Sequence, residues 1–224
     1  MPLATEVIKG FGQHVPNVGP FAPTIGKLIP YGDLDVLAEV FIQDAHKIAA
    51  FLVEPVQGYA GTRFPPKGCL KGVQDLCKQY NILFMCDEVQ SGYGRTGKDL
   101  AYQHEEDVKP DIVTLGKAVT AGFYPMAIIM GKKEVMDVLG KYEVASTFGG
   151  SPVACAAALA ALDILEEESL STRSQKLGDL LFRTLRDLDP PHVLEYRGSA
   201  LFQTLVIDES NLKVTGRRIA ALLA

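Results

Sequence analysis

Three short apolar runs, each followed by a charged side chain, constrain the fold of this chain more than any other feature. They lie in IAAFLVEPV (48–56), ILFMCDEV (82–89) and PDIVTLGKA (110–118), and a fourth run lies in YPMAIIMGK (124–132). Continuous apolar runs of this length are typical of strands buried on both faces of a sheet. Because helical patterns alternate with them, the sequence predicts an α/β fold with a mostly parallel sheet and flanking helices.

The helical patterns have recognisable beginnings. Asp33 is predicted to cap a first helix, and KGCLKGVQDLCKQY (67–80) carries its apolar residues on one helical face. Ser151 and Pro152 predict the start of another helix, since they supply a capping residue and a proline at the first position. A further helix is predicted from a leucine stripe, and ALFQTLVID is predicted to be the last strand. The stripe comprises Leu177, Leu181, Leu185 and Leu188.

A change of character near Glu166 predicts two domains. Residues 1–165 are expected to form a large domain that is incomplete at its N-terminal side, and residues 166–224 part of a small α+β domain. Residues 1–30 carry Gly and Pro at close intervals, and GRRIAALLA at the end resembles part of a helix. We therefore expect the sequence to be a fragment of a longer protein.

Composition excludes several function classes. The net charge of −5 argues against a nucleic-acid-binding surface, which needs a basic excess. The longest apolar stretch, PVACAAALAAL, is far shorter than the roughly 18 residues expected of a membrane span. The four cysteines form no C-x-x-C pair and have no histidine at metal-ligand spacing. We interpret them as small apolar residues in a reducing compartment, and we expect no metal site.

The charges at the strand ends are the candidate site. Glu54, Asp87 and Lys117 each follow an apolar run, and ligands of open α/β sheets bind at the carboxyl ends of strands. Taken singly, each charge is also typical of a strand that reaches solvent. Together they suit pyridoxal phosphate, which needs a lysine to bond its aldehyde and a carboxylate to keep its pyridine nitrogen protonated.

Two nucleotide-binding motifs compete with this interpretation. Gly92, Gly94 and Gly97 have the spacing G-x-G-x-x-G, but five residues separate the strand from the first glycine and a polar, acidic segment follows. A P-loop ending at Lys117 would need Gly at 111 and Ser or Thr at 118, where the chain has Asp and Ala. A nucleotide-binding α/β protein is therefore disfavoured.

The chain resembles the class-III, fold type I pyridoxal-phosphate aminotransferases. The resemblance rests on four segments whose order and separation also match, over nearly the whole chain. They are FLVEPVQG, LFMCDEVQSGYGRTG, KPDIVTLGKAVTAGFYP and STFGGSPVACAAALAALDILEEE. Within the class, IPYGDL, GFYPMA and STFGGSP are most similar to the ornithine aminotransferases.

The resemblance implies a role for each matched residue. Lys117 would bond the cofactor as the catalytic lysine, Asp87 would pair with its pyridine nitrogen, and Gln90 would bond its 3-oxygen. Ser146 and Thr147 would reach the phosphate of a neighbouring subunit's cofactor, which implies a homodimer with shared active sites. The glycines at 92, 94 and 97 would shape a loop near the cofactor.

The resemblance also implies a substrate pocket and a reaction. Glu54 and Tyr59 would lie beside the substrate, although ornithine aminotransferases typically have a glutamate at the position of Tyr59. The expected reaction moves the δ-amino group of ornithine to a 2-oxo acid such as 2-oxoglutarate. Acetylornithine or 4-aminobutyrate transaminases, or a non-catalytic fragment of the family, are the alternatives. A cytoplasmic location is expected, with the mitochondrial matrix as the alternative.

Overall fold

The predicted α/β sheet is confirmed. The computed structural model describes residues 21–24, 26–141, 143–144 and 146–223. Four strands pair in chain order: β1 (Ala50–Val53), β2 (Leu83–Asp87), β3 (Ile112–Leu115) and β4 (Ile128–Gly131). The first three are parallel, so their carboxyl ends lie at one edge of the sheet.

The fourth strand runs against the other three. β4 pairs with β3 in antiparallel register, with Leu115 opposite Ile128 and Ile112 opposite Gly131. Only a single 3₁₀ turn, Lys117–Thr120, lies in the connection between them. A parallel crossover needs a longer connection, usually a helix, so this chain returns directly and reverses its direction.

Two helices cover one face of the sheet. α1 (Leu34–Asp44) begins after Asp33, whose carboxylate accepts a hydrogen bond from the Val36 amide at 2.9 Å, as predicted for an N-cap. α2 (Cys69–Gln79) buries the predicted apolar face. The core between these helices and the sheet includes Phe41, Cys77 and Phe84.

The N-terminus of α2 is capped by a residue distant in sequence. Its N-cap position is Gly68, which has no side chain to accept a hydrogen bond. The carboxylate of Glu105 accepts from the amides of Gly68, Leu70 and Lys71 at 3.0–3.3 Å instead. A carboxylate at this end of a helix also complements the helix dipole.

The second half of the chain is less buried. It contains α3 (Lys133–Met136), α4 (Pro152–Glu167), α5 (Leu170–Leu188), β5 (Val193–Ser199), β6 (Phe202–Ile207) and α6 (Gly216–Leu223). α4 begins where Ser151 and Pro152 predicted, but the Ser151 side chain makes no capping hydrogen bond. The leucine stripe of α5 is only partly covered, since Leu177 and Leu181 remain 42% and 41% exposed.

β5 and β6 form a separate two-stranded antiparallel sheet. α5 approaches this hairpin at Gly178, where an added Cβ would lie 2.0 Å from the carbonyl oxygen of Ala200. The predicted boundary near Glu166 falls at the end of α4, and the division into residues 1–165 and 166–224 stays a prediction. Within the described residues, no helix is long and apolar enough to cross a membrane.

Candidate active site

Glu54, Asp87 and Lys117 meet at the carboxyl edge of the parallel strands, as the sequence predicted. Glu54 directly follows β1, Asp87 ends β2, and Lys117 lies two residues beyond β3. Burial raises the pKa of Glu54, and the negative charge of Asp87 raises it as well. The amide of Gly58, which donates to the Glu54 carboxylate, and the positive charge of Lys117 both lower this pKa. The three charged groups therefore share one electrostatic environment.

The turn after β2 presents two polar groups with unused hydrogen-bonding capacity. Asp87 is only 4% exposed, and its Oδ1 accepts from the Val89 amide at 3.0 Å. Within the described part of the chain, its second carboxylate oxygen has no hydrogen-bond partner, and the half-buried carboxamide of Gln90 makes no hydrogen bond. Relative to the described residues, both groups therefore keep hydrogen-bonding capacity that a ligand would use.

Glu88 holds this turn in place, a role that the sequence did not reveal. Its side chain is 1% exposed and accepts from the Ser91 hydroxyl at 2.5 Å and the Tyr102 amide at 2.8 Å. Its main-chain carbonyl accepts from the Gly92 amide at 3.0 Å. Burial raises the pKa of Glu88, whereas its hydrogen bonds lower it. In the sequence, Glu88 directly follows Asp87, and nothing there distinguishes it from a second acidic residue of the site.

Lys117 occupies an unusual backbone conformation. Its φ is +46°, in the left-handed region that residues other than glycine rarely adopt, and its side chain is exposed. Strained backbone of this kind costs about 1–3 kcal/mol and clusters at functional sites. Of the ten described non-glycine residues with positive φ, Lys117 is the only lysine, and its amine is exposed at the edge of the sheet.

The loop after β1 forms another wall of the site. Tyr31 donates from its hydroxyl to the carbonyls of Glu54 and Pro55 at 3.0 and 3.1 Å, a contact that fixes the strand end. Gln57 and Arg63 then exchange main-chain hydrogen bonds at 2.9 and 3.0 Å, which closes a loop between them. Tyr59 lies in that loop and is 65% exposed.

Ser146 and Thr147 lie in the connection between α3 and α4. Both are exposed on a turn in which the Gly149 amide donates to the Ser146 carbonyl at 3.3 Å. Among the described residues, no hydrogen bond joins either side chain to Asp87, Gln90 or Lys117. Their predicted role toward a neighbouring subunit stays a prediction.

The glycines of the G-x-G-x-x-G pattern make room for packing. Gly94 and Gly97 have φ of +80° and +90°, and an added Cβ would approach Ser171 of α5 at 2.9 Å and Gln175 at 2.3 Å. The carbonyl of Thr96, between them, accepts from the Ser199 hydroxyl at 2.9 Å. The loop therefore packs directly against α5 and the β5–β6 hairpin.

The residues at the edge of the sheet fit the ring and aldehyde of pyridoxal phosphate. Lys117 supplies an exposed amine, and, among the described residues, Asp87 has a buried carboxylate with one oxygen unpaired and Gln90 an unpaired carboxamide. Within the described residues, no group of three or more metal-ligating side chains occurs. The fold, together with a set of residues that fits this cofactor, defines the class of the pyridoxal-phosphate-dependent, fold type I transferases.

Comparison with known proteins identifies the family. Residues 6–221 match the family described as aminotransferase class-III, and the chain belongs to it. It is 49% identical over 191 residues to the probable mitochondrial ornithine aminotransferase of Caenorhabditis elegans, covering 85% of this chain and 44% of that protein. It is 41% identical to the ornithine aminotransferase of Emericella nidulans, and the match covers 92% of this chain and 45% of that protein.

Solved structures agree with this assignment. The ornithine aminotransferase of Toxoplasma gondii superposes with a TM-score of 0.79 at 38% identity, covering 91% of this chain and 46% of that one. The acetylornithine aminotransferase of Elizabethkingia anophelis superposes with a TM-score of 0.77 at 46% identity, covering 80% of this chain and 47% of that one. The chain spans about half the length of the curated relatives that it matches.

Proposed function

We propose that this chain carries the central part of a pyridoxal-phosphate-dependent ornithine transaminase. The reaction moves the δ-amino group of ornithine to a 2-oxo acid such as 2-oxoglutarate, giving glutamate semialdehyde and glutamate. The observation that carries the proposal is the meeting of Lys117, Asp87 and Glu54 at one sheet edge, in a chain 41–49% identical to proteins named ornithine aminotransferase.

Each residue has a defined task. Pyridoxal phosphate, when bound, supplies an aldehyde that takes up amino groups and a ring that stabilises negative charge on the substrate carbon. With the cofactor bound, the Asp87 carboxylate would keep a proton on the ring nitrogen, and the Gln90 carboxamide would orient the ring. Lys117 Nζ would hold the aldehyde and would carry a proton to or from the substrate carbon. Glu54 and Tyr59 lie where they would line the substrate side of this edge.

A second amino donor has specific support. The acetylornithine aminotransferase of Elizabethkingia anophelis is as similar in fold as the ornithine enzymes. Tyr59 also supplies a phenol hydroxyl where ornithine aminotransferases typically carry a carboxylate. 4-Aminobutyrate is a third candidate donor, and a chain of half the family length without activity is the remaining alternative.

The assembly and the location belong to the same proposal. We infer a homodimer in which Ser146 and Thr147 bind the phosphate of the partner's cofactor. The proposed location is the cytoplasm, with the mitochondrial matrix as the alternative, since the Caenorhabditis elegans relative is named mitochondrial. In either compartment the reaction would contribute to arginine catabolism and proline biosynthesis.

Trapping the cofactor with borohydride tests the proposal. The chain is incubated with pyridoxal phosphate and reduced, and its peptides are mapped by mass spectrometry. The label is expected on Lys117 and lost in Lys117→Ala. It should persist in Lys133→Ala, which removes a lysine whose side chain is 84% exposed.

The donor is then identified by kinetics. Ornithine, acetylornithine and 4-aminobutyrate are compared with 2-oxoglutarate as acceptor, and ornithine is expected to have the highest kcat/KM. A higher value for acetylornithine would move the assignment to that enzyme. A label on Lys117 without turnover of any donor would support a non-catalytic chain, and no label at all would contradict the cofactor assignment.

A further inference from the structure

Gly58 lies against the carboxamide of Gln90. A Cβ built on Gly58 would fall 1.7 Å from Gln90 Oε1 and 2.8 Å from Gln90 Cδ. Atoms cannot approach this closely, so the carboxamide occupies the space that any side chain at position 58 would need. The backbone of Gly58 itself has no left-handed φ, which means that the requirement for glycine is steric.

The surroundings leave Gln90 as the group that would move. On another side, the same Cβ would lie 3.0 Å from Phe202 Cζ, at the start of β6. The loop cannot retreat freely, because Thr62 and Thr204 are hydrogen-bonded through their hydroxyls at 2.7 Å and the Gly58 amide donates to Glu54 at 3.3 Å. The end of a flexible glutamine side chain is the part that moves at the lowest energetic cost, because it can change its rotamer.

We propose that Gly58 is a positioning residue. Because it has no side chain, it leaves open the space that the Gln90 carboxamide occupies, and this directs the carboxamide toward the cofactor. The cofactor part of this proposal rests on the proposed function, whereas the packing part does not. A side chain at position 58 would rotate the carboxamide away, with a small effect on folding and a larger effect on pyridoxal phosphate binding.

The packing part is tested without cofactor. Glutamine side-chain amides are recorded by ¹⁵N–¹H NMR for the wild type and for Gly58→Ala, and Gln90→Ala assigns the Gln90 signals. We expect Gly58→Ala to shift the Gln90 side-chain signals while the urea midpoint of unfolding stays close to the wild-type value. Unmoved Gln90 signals would overturn the proposal.

The cofactor part is tested by a double-mutant cycle. Gly58→Ala and Gln90→Ala are each expected to weaken pyridoxal phosphate binding about 5- to 10-fold, the loss of one hydrogen bond. Because both act through one carboxamide, the double variant should bind no more weakly than Gln90→Ala. Losses that multiply would show that Gly58 acts independently of Gln90 and would overturn the proposal.

Gly131→Ala is the matched control. This glycine ends β4 at the opposite edge of the sheet, and its added Cβ would also meet a flexible side chain, at 2.7 Å from Met136 Sδ. It should leave both the Gln90 signals and the cofactor affinity unchanged. A wild-type chain that binds no pyridoxal phosphate overturns the proposed function and the cofactor part, while the amide spectrum still decides the packing part.

Discussion

Helices α2 and α4 differ in how their apolar residues are used. In α2, Leu70, Val73 and Cys77 are at most 3% exposed against the sheet and α1. In α4, only Ala154 and Ala158 are buried. Four larger apolar side chains of α4 remain 44–63% exposed, namely Val153, Leu159, Leu162 and Ile164. The core between α1, α2 and the sheet is therefore built from residues of this chain, whereas the apolar surface of α4 is not covered by the described residues.

The helix ends show the same contrast. Asp33 caps α1 through its own side chain, and Glu105 caps α2 from a distance. The N-cap residues of α4 and α5, Ser151 and Ser169, make no side-chain capping hydrogen bond. Local and tertiary interactions thus reinforce each other in the first half, and substitutions there should cost far more free energy of unfolding than in the second.

The largest expected difference is between a core and a surface truncation. Phe84 is 1% exposed at the centre of the sheet, so Phe84→Ala should lower the free energy of unfolding by about 3–5 kcal/mol through cavity formation. Leu159, 63% exposed, should cost about 0.5 kcal/mol when changed to alanine. Urea unfolding followed by circular dichroism measures both, and equal losses would mean that α4 is covered, for example by self-association.

The next effect concerns the helix caps. Glu105→Ala removes the acceptor of three amides at the start of α2 and should cost about 1 kcal/mol. Ser151→Ala is the matched control, because its hydroxyl forms no capping hydrogen bond and its removal should change stability by less than about 0.5 kcal/mol. A cost at Ser151 equal to that at Glu105 would contradict the contrast between the halves.

The smallest effect is a pH dependence where the two halves meet. Burial lowers the pKa of His104, and the nearby Lys98 lowers it further, against the opposing effect of its Nε2–H bond to the Thr96 carbonyl at 3.0 Å. The unfolded chain therefore binds the proton at a higher pH than the folded chain. The stabilising contribution is present above about pH 6.5 and is lost as the pH falls through the lowered folded-state pKa.

Replacing the ring tests this assignment. The urea midpoint of the wild type should fall as the pH is lowered from 7.5 to 5.5, and His104→Gln should show a flatter dependence over the same range. His46→Gln, in the exposed turn after α1, serves as the control for a histidine outside this contact. Parallel curves for the wild type and His104→Gln would show that His104 is not the responsible group.

The sequence predicted the sheet and its charged edge because burial leaves a strong pattern. The runs around Phe51, Phe84 and Val113 are continuous and apolar, and each became a strand at nearly the predicted place. β5 was missed because VLEYRGS mixes charged and apolar residues on a two-stranded sheet with little burial. The direction of β4 could not be predicted either, because a short run of apolar residues does not encode whether a strand pairs in parallel or antiparallel.

The candidate site divides in the same way. Glu54, Asp87 and Lys117 could be predicted because they interrupt apolar runs, whereas Glu88 and Gly58 act through contacts between distant segments. Glu88 bonds Tyr102 across a loop, and the space beside Gly58 is filled by a side chain 32 residues away in the sequence. Neither relation leaves a local pattern, so only the fold reveals it.

The left-handed backbone at Lys117 has a consequence for protein engineering. Glycine adopts this conformation at little cost, so a search for stabilising substitutions would favour Lys117→Gly over the native residue. That search would remove the one amine on which the proposed chemistry depends. Any stabilised version of this chain should therefore hold position 117 constant and look for its gains in the open surface of α4.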